Sequence, residues 1–153
     1  MKEIVGNLDA TGLKMALVVS RFNSFFTEQL VKGAADCFVR HGGKEENLTL
    51  VRVPGANELP QVAQRLAAAG QVDAVIALGA VIQGATPHAD LINGTVARAL
   101  AKIALDTGVP VLNGIVCALN LEQAIERAGT KQGNKGWDAV PAAIETVNVL
   151  KAL

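Results

Sequence analysis

The chain has 153 residues, half of them hydrophobic but only 3% aromatic and none a tyrosine, which suits a single domain packed from Ala, Val, Leu and Ile. Its 14 Lys and Arg balance 14 Asp and Glu, so no net charge steers it toward nucleic acid or an anionic membrane. No window reaches the roughly 18–20 unbroken apolar residues of a bilayer span, and Met-Lys-Glu-Ile-Val-Gly-Asn at the N-terminus lacks the apolar stretch of a signal peptide.

The first predicted element is a buried strand over 16–19. A helix over 24–39 follows, with Leu30, Ala34, Cys37 and Phe38 on one face. His41-Gly42-Gly43 ends it, His41 being a cation-capable residue at a helix C-terminus. A second strand over 48–53 is broken by Pro54-Gly55 and leads to a helix over 58–69. A third strand covers 74–78. The long helix after it, 87–107, buries Ile92, Val96, Leu100 and Ile103. A fourth strand covers 109–116. Leu121, Ala124, Ile125 and Ala128 mark a short helix, 129–136 reads as a Gly/Lys loop, and a last helix covers 138–150. Pro141 is tolerable there only if that helix starts near residue 140 or kinks.

Strands alternating with helices predict an α/β fold with a parallel sheet. No repeat or linker divides the chain, so 1–153 is one domain. Cys37 and Cys117 stand outside any CxxC or Cys/His cluster, as expected of a reduced, cytoplasmic setting. Ligands of open α/β sheets sit beyond the carboxyl ends of the strands, here the segments 20–23, 54–58, 79–88 and 113–120.

The run Gly79-Ala80-Val81-Ile82-Gln83-Gly84-Ala85-Thr86-Pro87-His88-Ala89-Asp90 reads as a strand, a Gly-rich bend and a helix start. Thr86 suits the N-cap and Pro87 the first helical position. Free N–H groups and the positive end of a helix dipole then lie beside the His88 imidazole, a place to hold phosphate and move a proton. The dipole disfavours imidazolium, leaving a proton acceptor; a purely structural histidine is the alternative. Dinucleotide and P-loop readings fail, because the first strand lacks a GxGxxG and 79–84 lacks a Lys-Ser/Thr.

Phe22 either caps the core or stacks on a planar heterocycle. Glu58 is electrostatically favoured at a helix start without any ligand, or accepts hydrogen bonds from a polyol. Arg127, Lys131 and Lys135 form either a solvated cationic helix end or a phosphate grip. Two histidines not at ligand spacing suggest no metal site.

Together these segments resemble the lumazine synthase family. The likeness runs from Gly6 to Leu150 and rests on Ser20-Arg21-Phe22-Asn23, Val53-Pro54-Gly55-Ala56, Gly84-Ala85-Thr86-Pro87-His88, and above all residues 122–131 (EQAIERAGTK) with Gly133-Asn134-Lys135-Gly136. The resemblance implies a flavodoxin-like three-layer αβα sandwich with a four-stranded, mainly parallel sheet. It implies a homopentamer whose sites are shared between neighbours, in many members closed into a 60-subunit icosahedral shell, with riboflavin synthase as a further partner. The implied reaction, in riboflavin biosynthesis, condenses 5-amino-6-(D-ribitylamino)uracil with 3,4-dihydroxy-2-butanone 4-phosphate to 6,7-dimethyl-8-ribityllumazine, phosphate and water, with no metal or organic cofactor.

By the same resemblance Phe22 stacks on the pyrimidine, while Ala56, Asn57 and Glu58 hold the pyrimidine and ribityl chain. Ala80, Val81 and Ile82 offer backbone groups. Ala85 and Thr86 bind the phosphate-bearing substrate, Arg127 grips phosphate, and His88 transfers protons. Asn113 approaches from the adjoining subunit; Asn23, Lys131 and Lys135 are further candidates. The chain departs from the family pattern at Asn57, Gln83, Ala89, Asn113 and Cys117, four of these removing an aromatic ring or a charge. Two other readings therefore stay open: a ring- or cage-forming protein with weakened or lost chemistry, and a binder of a different flavin-like or aldehyde-bearing ligand. The enzymatic reading requires His88 and Arg127 to reach one pocket, within a chain or across neighbouring protomers.

Overall fold

A computed structural model of the chain describes residues 1–129 and 133–153. Four strands, β1 (Met15–Ser20), β2 (Leu48–Val53), β3 (Ala74–Ile82) and β4 (Val111–Ala118), form one sheet in the order β2-β1-β3-β4. Every pairing is parallel. The helices are α1 (Ser24–Arg40), α2 (Leu59–Ala68), α3 (His88–Thr107), α4 (Leu121–Arg127) and α5 (Lys135–Ala152).

Side chains alternate across a strand, so an all-apolar strand feeds two cores at once. Met15, Leu17 and Val19 of β1 join Ile76 and Leu78 of β3 in a core covered by α1, α4 and α5. Ala16 and Val18 join Val75 and Ala77 in a second core covered by α2 and α3. The result is the expected three-layer αβα sandwich. The face read for the first helix is the buried one: Leu30, Ala34, Cys37 and Phe38 are all fully buried. In α3, Val96, Leu100 and Ile103 are buried and Ile92 half-buried.

Several boundaries differ from expectation. β3 runs to Ile82 rather than Leu78, because β4 continues to pair with it as far as Ala118. β4 itself starts at Val111. α5 begins at Lys135, so the last two residues of the expected Gly/Lys loop are helix and Pro141 lies inside α5. The helix start near residue 140 is therefore overturned; the Pro141 nitrogen leaves the Trp137 carbonyl without its helical donor.

Asn134 explains the early start. Its Oδ1 accepts from Trp137 N at 3.0 Å, capping α5, and its Nδ2 donates to Gln29 O of α1 at 2.9 Å. The helices then approach closely at Gly136, where a Cβ would stand 2.2 Å from Leu30 O.

Candidate functional site

The chain direction reverses across the sheet at β1, which is flanked by β2 on one side and β3 on the other. Such a switch point opens a crevice at the carboxyl ends of the two diverging strands. A cavity of about 340 Å³ lies there, lined by Ser20, Phe22 and Asn23 at and beyond the end of β1, by 55–58 beyond β2, by 80–82 of β3, and by Gly84, Thr86, His88, Ala89 and Ile92.

Phe22 is 72% exposed, so it caps no core, and its ring stands free at the cavity. Its backbone is fixed instead. Arg21 N donates to Val53 O at 2.8 Å and Phe22 N to Pro54 O at 3.1 Å, extending the β1–β2 ladder past the strand end. Asn23 then takes a left-handed conformation, φ 60 and ψ 46. Its Nδ2 donates to Ala80 O at 2.7 Å. Its carbonyl accepts from Phe26 N and Thr27 N, opening α1.

Glu58 ends a 3₁₀ turn over Ala56–Glu58, and its Oε2 accepts from Gly55 N at 2.9 Å. That bond holds the carboxylate at the cavity wall without a ligand, a capping geometry worth about 0.5–2 kcal/mol. Asn57 lines the same wall.

His88 is the first residue of α3, but the cap differs from the sequence reading. Pro87 is the flanking residue and no side chain caps the helix. The Pro87 carbonyl accepts from Leu91 N at 3.3 Å, whereas the Thr86 carbonyl accepts from Gln83 Nε2 at 3.2 Å. Thr86 is thus one residue too early to cap and belongs to a loop folded back on Gln83. His88 and Ala89, in the first turn of α3, still line the first cavity.

A second cavity of about 400 Å³ holds the cations. Cys117, Glu126, Arg127, Gly133, Asn134, Lys135 and Asp138 line it, and Arg127 Nη1 donates to Cys117 O at 3.1 Å. Burial pushes the Cys117 thiol above its usual value, while Lys135 and Arg127 pull against that rise. Among the described residues none is shared between the two linings. Within one chain, His88 and Arg127 therefore line separate cavities.

Of the expected site residues, Phe22, Asn23, Ala56, Asn57, Glu58, Ala80, Val81, Ile82, Thr86 and His88 are brought together in the first cavity and Arg127 and Lys135 in the second. Ala85 is exposed on the loop but lines neither. Asn113 lies on β4 with its Oδ1 accepting from Ile115 N at 3.0 Å, also outside both linings. Lys131 falls outside the described residues. Ala89 and Ile92 line the first cavity without having been proposed; Ile92, four residues after His88 on the same helix face, read only as core. Among the described residues no three His, Cys, Asp or Glu side chains gather as a metal would require, and no helix is long and apolar enough to cross a membrane.

Residues 12–151 match the 6,7-dimethyl-8-ribityllumazine synthase family. The chain belongs to that family. It is 54% identical over 151 residues to the 6,7-dimethyl-8-ribityllumazine synthase of Chlorobium limicola, covering 99% of this chain and 97% of the relative. The enzymes of the same name from Prosthecochloris aestuarii and Chlorobaculum tepidum are 56% and 50% identical, over 97% and 100% of this chain and 96% and 99% of their own.

Proposed function

We propose that this chain condenses 5-amino-6-(D-ribitylamino)uracil with 3,4-dihydroxy-2-butanone 4-phosphate to 6,7-dimethyl-8-ribityllumazine, the transferase step of its family in riboflavin biosynthesis. The observation that carries the reading is the first cavity, where Phe22, Glu58 and His88 from three separate stretches line one cleft at the switch point. The exposed Phe22 ring stacks on the pyrimidine. Ala56, Asn57 and the Glu58 carboxylate receive its polar edge and the ribityl hydroxyls, and Ala80, Val81 and Ile82 present main-chain groups. Ala85 and Thr86 on the loop before α3 take the phosphate-bearing substrate at a helix N-terminus.

The chemistry asks for proton transfers more than for a strong electrophile. The uracil 5-amino nitrogen adds to the ketone and water leaves, giving an imine. Loss of a proton next to the imine carbon expels phosphate with the electron pair of its C–O bond. The ribitylamino nitrogen then closes the second ring, and a second water leaves. His88, beside both substrates, accepts and returns these protons as general base and acid.

Arg127 and Lys135 enter from a neighbouring protomer in this reading. Their cavity opens elsewhere on the same chain, so a ring of five copies brings the second cavity of one protomer, together with Asn113 of its β4, against the first cavity of the next. The guanidinium then forks onto the phosphate held at the α3 start. The same assembly admits closure of twelve rings into a shell, in the cytoplasm, with riboflavin synthase taking up the product.

The test is direct. Purified protein mixed with both substrates yields a fluorescent lumazine well above the uncatalysed rate, and His88→Ala slows formation by about 10²–10⁴-fold. Absence of any protein-dependent product overturns the reading.

A further inference from the structure

Among the described residues, Asn23 is the one non-glycine residue with positive φ, and it stands next to Phe22. Asparagine tolerates this conformation better than most residues, but its side chain does not do what asparagine usually does at a helix start. It caps nothing in α1 and instead reaches 57 residues along the chain to Ala80 O, at 2.7 Å.

The strand geometry explains the target. Val75 N donates to Pro110 O and Gln83 N to Ala118 O, so odd-numbered residues of β3 direct their backbone groups to β4. The even-numbered ones face β1. The β1–β3 ladder ends at Val19 and Leu78, because β1 turns away to bond with the β2 end. Ala80 is only 3% exposed, and its carbonyl points at the place where β1 would have continued. The Asn23 amide stands in for the missing strand.

We infer that Asn23 is a positioning residue for the pyrimidine subsite: its left-handed backbone and its amide to Ala80 O fix the Phe22 ring at the mouth of the cavity. Phe22 is then held on both sides, by its own N–H to Pro54 O and by the next residue's side chain to β3. Its main chain is clamped across the ends of three strands while its ring keeps an open face. Pre-organisation of this kind lowers the ordering cost of binding. The inference rests on the functional reading above for its substrate, but not for its geometry.

Asn23→Asp keeps the size and the tolerance of positive φ while removing the donor and setting a carboxylate against a carbonyl. It raises KM for 5-amino-6-(D-ribitylamino)uracil by about tenfold, with KM for the phosphate substrate and kcat within about twofold. In a Phe22→Ala background the same change adds less than about twofold. Asn23→Gly, which takes positive φ freely, repeats the measurement if the aspartate variant does not fold. An unchanged pyrimidine KM, or the same loss in both backgrounds, overturns the inference. Hydrogen exchange of the Phe22 amide reads the clamp without substrate: it quickens by about tenfold in the variant while 15–20 stay protected. If the wild-type protein makes no lumazine, the functional reading fails and exchange alone decides; unchanged exchange at Phe22 overturns the positioning role whatever the activity.

Discussion

His88 and Arg127 line different cavities of the same chain, with no lining residue in common among the described residues. Chemistry that needs both must recruit them from two protomers. Mixing supplies the test. His88→Ala and Arg127→Ala proteins, each nearly inactive, are dissociated, combined in equal amounts and reassembled. A site recovers when one protomer gives His88 and its neighbour gives Arg127, so random mixing restores about a quarter of wild-type activity. A site complete within one chain restores none, and the lumazine time course separates the two outcomes.

The two thiols differ in the same geometric sense. Cys37 is fully buried on the inner face of α1, and burial pushes its pKa up to about 11. Cys117 is exposed, in the cavity of Arg127 and Lys135. Native protein is therefore expected to consume one equivalent of a thiol reagent near pH 8, at Cys117, and a second only on unfolding. Inorganic phosphate drawn to the neighbouring cations slows the first reaction, and an anion-insensitive rate would place phosphate elsewhere. Peptide mapping of the labelled protein identifies which thiol reacted.

Much of this arrangement was legible in the residues. The apolar runs defined four strands and the helical stripes, and the segments at strand ends were the right ones to search, because alternation and the switch-point rule act locally. The α5 start was not legible. Gly133-Asn134-Lys135-Gly136 has loop composition, and only the contact of Asn134 with Gln29 on a helix far away in sequence makes it a helix start. Thr86 failed as a cap for a related reason. Its position suited the role, but a bond from Gln83 folded the loop and left Pro87 at the boundary. The division of the cations from His88 was equally hidden, since spacing along a chain carries no sign of which edge of a sheet each segment reaches.

Close approach of α1 and α5 gives a stability prediction with its own control. A methyl at Gly136 meets the Leu30 carbonyl, backbone that has no easy way to give. Gly136→Ala lowers stability by about 1–3 kcal/mol and disturbs the neighbouring Lys135. At Gly94, inside α3, the nearest atoms to an added methyl belong to the Arg98 side chain at 3.7 Å. Gly94→Ala raises stability by about 0.5–1 kcal/mol, the ordinary helix-interior difference. Urea unfolding of both variants checks the pair; equal effects would mean that the α1–α5 contact is looser than the structure has it.

Acid should weaken the clamp between α1 and β2. Arg52 on β2 reaches Glu28 on α1 with both terminal nitrogens, Nη1 to Oε1 and Nη2 to Oε2. The Arg52 hydrogen bond is the main cause that holds the Glu28 carboxyl below its ordinary value of 4.5. The folded state therefore binds fewer protons at Glu28 than the unfolded chain does. The resulting stability is fully present above the unfolded value and is lost as pH falls through the lower, folded one. Both side chains are partly exposed, 38% and 41%, so water screens the pair and its worth is about 0.5 kcal/mol. A double-mutant cycle of Glu28→Gln and Arg52→Gln should give that coupling at pH 7 and steadily less of it as pH falls below 4.5. A coupling that persists in acid would show that the two side chains act through packing rather than charge.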